Sequence, residues 1–130
     1  MKPRMKIEMK VTPFNKMRWK TLGDYYEKKD GTIVIETADT GNFLFNMLIL
    51  EHELNEYVNT KLRGIKEPDI KSFDEKHPDD DDPGLNKDAP YRDEHAISDA
   101  FDRLTLAYHH IPYQDYDDAC NEVWKTWRRK

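Results

Sequence analysis

The sequence predicts an α+β fold, a small antiparallel sheet of about three strands packed against three helices, and three observations carry that prediction. Apolar and polar residues alternate near the start, an Asp-Gly pair separates two further strand-like runs, and three later stretches place apolar residues at helical spacing. The 130 residues are one domain's worth of chain, with length for a single modest core. Apolar residues make up 37% and charged residues 36%, so that core must be built economically, while 12% aromatics argue for a folded chain over a disordered one.

The first strand is read from Met5, Ile7, Met9 and Val11, which alternate with Lys6, Glu8, Lys10 and Thr12 and predict one buried face; Pro13 ends it. Asp24 to Glu27 and Thr32 to Glu36 flank Lys29-Asp30-Gly31, where Asp-Gly supplies the backbone conformation of a tight hairpin turn. The first helix runs from Phe43 to Arg63. Thr40 or Asn42 caps its start, Lys61 and Arg63 favour the negative end of its dipole, and Gly64 stands where a left-handed C-cap belongs. Residues 66–90 lack sustained periodicity and include Asp79-Asp80-Asp81-Asp82-Pro83-Gly84, which reads as a mobile acidic loop without the alternating spacing of a calcium loop.

A second helix opens at Asp88 or Pro90, with Ile97, Ala100, Phe101, Leu104, Ala107 and Tyr108 as an apolar stripe that predicts a buried face, and Pro112 ends the segment. The third runs from about Asp115 to Arg128, with Tyr116, Ala119, Cys120, Val123, Trp124 and Trp127 on one side.

The net charge of -5 speaks against nucleic-acid binding, which needs a basic surface. Basic residues near the two ends (Lys2, Arg4, Lys6, Lys10, Arg128, Arg129, Lys130) read as solvated. The single cysteine, Cys120, excludes an intramolecular disulfide and points to a reducing, cytoplasmic setting; its neighbours Ala119 and Val123 make it a small core residue. No secretory signal or membrane-spanning apolar run is visible, so no membrane association is expected.

Chemistry concentrates in His52-Glu53-Leu54-Asn55-Glu56, in the second half of the first helix. His52 and Glu56, four residues apart, project about 40° from one another on a wheel of about 100° per residue, and can hold one metal ion together. In the HExxH pattern of metallopeptidases the first and fifth positions are ligands and the Glu at the second is a general base. Glu53 occupies that second position here, and Glu56 replaces the second His with a carboxylate that zinc also accepts. The first half of the helix is apolar nearly all round, which predicts a desolvated His and Glu in need of a partner, either a metal or a hydrogen-bonding neighbour. The third ligand is His95, with Glu94 as its rival. The wheel sets His95 with Asp99 and Asp102 on the polar face of the second helix, away from the expected core. His109 and His110 read as surface residues, and His77 has no companion at ligand spacing.

The segment from Met5 to about Tyr116 resembles a family of small bacteriophage and prophage proteins with a zincin-like HExxE helix. The residues that carry the resemblance are the alternating first strand, Thr21-Leu22-Gly23-Asp24, His52 to Glu56, the Lys61 to Ile65 end of the helix, and Pro90-Tyr91-Arg92-Asp93-Glu94-His95. The resemblance implies that His52, Glu53, Glu56 and His95 belong together, places the protein in the cytoplasm of a host cell, and implies no particular reaction. The functional expectation is a zincin-like metal-binding protein using zinc or another divalent metal. His52, Glu56 and His95 are its ligands and Glu53 is the catalytic base of a peptidase-like hydrolase acting on a host peptide or protein. The competing expectation is a non-catalytic acidic protein that binds a host factor.

Overall fold

In a computed structural model, which describes residues 4–78, 80 and 82–128, the chain forms a three-stranded sheet and four helices. Asp79 and Asp81 of the acidic run, and Lys2, Arg129 and Lys130 of the basic ends, lie outside the described residues. The strands are β1 (Ile7–Thr12), β2 (Gly23–Glu27) and β3 (Ile33–Ala38), in the order β1-β3-β2. The hairpin between β2 and β3 closes as expected. Gly31 takes a φ of 90°, and the Asp30 carboxylate accepts the amide of Thr32 at 2.9 Å.

The sheet is mixed, which corrects the expectation of an antiparallel one. β1 runs parallel to β3, with Ile7 opposite Ile33 and Val11 opposite Thr37, because the segment between Pro13 and Leu22 lets the chain return on the far side of β3. β3 is thereby central and buried at every position, while β1 is an edge. Met5, Ile7, Met9 and Val11 accordingly stay 63, 40, 44 and 47% exposed, in place of the buried face their alternation predicts.

Helix α1 (Phe43–Arg63) begins at Asn42, whose side chain accepts the Phe45 amide, and stops at Gly64 with φ 80°. It packs Leu50, with Met47 and Leu54 beside it, onto Tyr25, Ile33 and Ile35. Helix α2 (Glu67–Glu75) forms inside the stretch expected to be loop; Pro68 suits its first turn, and Ile70 with Phe73 joins the same core. Helix α3 (Arg92–Tyr108) lies along α1, and helix α4 (Tyr113–Trp124) packs Tyr116 against Phe45, Leu48 and Leu106. Four helices thus replace the three expected. Cys120 is a half-buried thiol pushed up to about 12 by its burial, in keeping with a packing residue.

The largest departure is in α3. Its expected core stripe faces outward, with Ile97 46%, Phe101 49%, Leu104 67% and Tyr108 78% exposed. The face it turns to α1 carries Glu94, His95, Ser98 and Asp102 along with Leu106. Among the described residues, no helix is long and apolar enough to cross a membrane.

Candidate metal centre

The polar face of α3 is buried because α1 offers it a polar face in return. Past its apolar first half, α1 presents His52 and Glu56, one turn apart, and the neighbouring helix presents His95. His52 Nε2 lies 3.2 Å from His95 Nδ1 and 3.5 Å from Glu56 Oε2, and His95 Nδ1 lies 3.1 Å from the same oxygen. These three atoms form a nearly equilateral triangle. Ligands at about 2.0–2.1 Å from a tetrahedral zinc are separated by about 3.3–3.4 Å, so the triangle has the dimensions of one face of such a site.

Carboxylates stand behind both histidines. Asp102 Oδ2 is 2.7 Å from His52 Nδ1, which favours a proton on that nitrogen and turns Nε2 to the triangle. Asp82 Oδ1 is 2.8 Å from His95 Nε2 but off the N–H direction, so that contact is one of charge more than of a directed hydrogen bond. Tyr25 donates its hydroxyl to Glu56 Oε1 at 3.2 Å, and Ser98 donates to the backbone carbonyl of His52 at 2.9 Å. His52, His95 and Asp99 also bring one ligand atom each within 4.8 Å of one another. Asp99, however, sits 3.7 Å from His52 Nδ1 and 3.5 Å from His95 Nε2, on the side of the rings already held by Asp102 and Asp82. Glu56 makes the tighter set.

Two glycines make room for the site. A Cβ on Gly84 would stand 2.4 Å from His95 Cγ, and one on Gly23 would stand 2.2 Å from Glu53 Oε1. Loop 82–85 and strand β2 therefore press backbone directly against the two side chains. Both glycines line a cavity of about 610 Å³ together with His52, Glu53, His95 and Asp99.

The electrostatics favour positive charge at this place. Burial alone would lower the His52 pKa, but the hydrogen bond to Asp102 and the interactions with Glu56 more than offset it and raise it well above the ordinary value. His95 is likewise opposed by burial and raised to about 10 by Asp82 and Glu56. Burial works against the Glu56 carboxylate too, and the two imidazoles still bring it down to about 2. Two fully protonated rings would aim N–H groups at each other across the 3.2 Å gap between His52 Nε2 and His95 Nδ1. A metal ion would relieve that conflict, since all three atoms would then direct lone pairs at it. Glu53 is different: burial, followed by the negative charge of Glu56, raises its pKa well above the usual carboxylate range, and its carboxyl makes no hydrogen bond among the described residues.

Three of the four expected site residues thus meet, His95 included, and Glu53 lines the same cavity. The polar face of His95's helix lies inward, against the polar half of α1, and not away from the core. Glu94, the rival third ligand and the residue before His95, is also buried but is held 2.7 Å from Nη2 of Arg63 at the C-terminal end of α1. His77 bonds through Nδ1 to the Phe73 carbonyl at 2.8 Å and stacks on the Phe73 ring, and His109 and His110 are exposed. Sequence reasoning missed the supporting roles of Asp82, Asp102 and Tyr25 and the two close glycines. Asp102 carried a signal, lying on the same helical stripe as His95. No protein-family model, curated protein or solved structure matches the chain.

Proposed function

We propose that the protein is a zincin-like, zinc-binding protein that hydrolyses a peptide-like substrate, with His52 Nε2, His95 Nδ1 and Glu56 Oε2 as the protein ligands. The observation that carries this reading is the triangle of 3.1, 3.2 and 3.5 Å between three donor atoms on two packed helices. Asp102 behind His52, and Asp82 beside His95, fit it further, because ligating histidines are commonly held by a carboxylate at the other nitrogen. Zinc at this position would supply Lewis acidity in the cavity wall and leave a coordination position free for the reaction.

Glu53 is the proton carrier in this reading. Its raised pKa brings a carboxyl towards the range in which it can accept a proton from an attacking water and return it to a leaving group. The positive charge of His52 and His95 opposes that rise. Gly23 fixes where the carboxyl can sit.

Metal analysis of protein purified without added zinc tests the proposal. About one equivalent is expected in the wild type and in Glu53→Gln, and much less in His52→Ala and Glu56→Ala. A stoichiometry near zero in the wild type that stays there after zinc is added would rule the reading out. Zinc-loaded Glu53→Gln should then fail to cleave a mixed peptide library that the wild type cleaves.

A further inference from the structure

The exposed row on β1 stands apart from the metal centre and has its own logic. Ile7, Met9 and Val11 share a sheet face with Ile33, Ile35 and Thr37, which are 6, 0 and 0% exposed beneath α1. The cover stops at β3 and leaves β1 bare at 40 to 47%. Among the described residues no strand pairs with the outer edge of β1, so its backbone groups and its apolar face are open together.

We propose that this edge pairs with β1 of a second copy of the chain, antiparallel, with Met9 opposite the partner's Met9. The occupant follows from the charge pattern. In this register Glu8 faces the partner's Lys10 and Lys10 faces the partner's Glu8, while Ile7 faces the partner's Val11, and Lys6 meets the neutral Thr12 of the partner subunit. The strand is therefore complementary to itself about Met9. Centring the pair on Glu8 would set Glu8 against the partner's Glu8 and Lys6 against the partner's Lys10. Centring it on Ile7 keeps two Glu-Lys pairs but sets Lys10 against the partner's Arg4, twice. Lysines commonly keep a sheet edge solitary, yet in the Met9 register Lys10 finds an opposite charge across the two-fold axis. The two sheets become one, with both α1 helices on the same side and the two apolar rows side by side.

Sedimentation of the full chain across a range of concentrations reads the association, and a cysteine pair reads the register. In a Cys120→Ser background, Met9→Cys places two thiols on directly opposed residues, whose Cα atoms are about 4.5–5.5 Å apart in any antiparallel pair and within disulfide reach. The expected results are a mass rising from 15.5 kDa toward twice that value and rapid oxidative cross-linking of Met9→Cys. Ile7→Cys should not cross-link, and zinc removal should leave the association unchanged. A wild-type mass fixed at 15.5 kDa at every concentration would overturn the proposal. So would cross-linking of Ile7→Cys in preference to Met9→Cys.

Discussion

Helix α1 has two buried sides of opposite character. Against the sheet, α4 and Leu106 of α3 it sets Leu48, Ile49 and Leu50, with exposures of 1, 6 and 4%; against the rest of α3 it sets Glu56, at 5% just as deeply covered, beside His52. The first side lowers the free energy of folding by taking apolar surface from water, roughly 25 cal/mol for each Å². The second gains nothing of that kind: burial works against each of its charges, and their mutual attraction offsets that cost. The lesson is that equal depth is reached by different physics on the two sides of one helix. One seam buries apolar surface, and the other holds two imidazoles and a carboxylate 3.1, 3.2 and 3.5 Å apart.

The comparison breaks most sharply if a core substitution and a site substitution behave alike. Leu48→Ala should cost about 2–5 kcal/mol of unfolding free energy, equally with and without zinc, and leave the zinc affinity of the folded protein within about twofold; urea melts with a zinc titration check both halves. Glu56→Gln keeps the volume and removes the charge. Its main effect should be to abolish the stabilisation that zinc confers on the wild type, about 2.7 kcal/mol when free zinc is a hundred times its dissociation constant. The same melts run against pH on metal-stripped wild type give a sign. His95 has its pKa raised to about 10, so its contribution is complete below its ordinary value of 6.5 and fades as pH climbs through 10. Zinc-saturated protein should not show that loss.

Smaller effects sharpen the contrast. Asp102→Asn should weaken zinc binding about 10- to 100-fold through His52 without touching the ion, and competition with a chelating dye measures it. Gly84→Ala should act in the same direction by displacing His95. Leu104→Ser, in the stripe whose spacing predicts a buried face, should change stability by no more than about 0.5 kcal/mol, because the residue is 67% exposed.

What the sequence made legible was local. Asp30-Gly31, Asn42 and Gly64 mark their turn and caps because each acts on backbone within a few residues, and His52 with Glu56 share a face by helical geometry alone. What it hid was set by neighbours distant in sequence. The Met5-to-Val11 alternation marks a strand but not which side of β3 it joins, and only that choice decides its exposure. Ile97 to Tyr108 marks a helix face, while the direction it faces depends on α1 offering a polar partner to the opposite side. Helix α2 was masked by its charges, since only Ile70 and Phe73 mark its inner face. The same limit explains the site: His95 could be named as a ligand, but its inward orientation, Asp82 and Gly84 belong to the packing.

X-ray absorption at the zinc edge of the zinc-loaded protein tests the central claim most directly, that one polar helix seam is a metal site. Two imidazole nitrogens and a carboxylate oxygen should appear in a shell at about 2.0–2.1 Å, and one imidazole should vanish in His95→Ala. Failure to load zinc, or a zinc shell without imidazole or unaltered in that variant, would contradict the account.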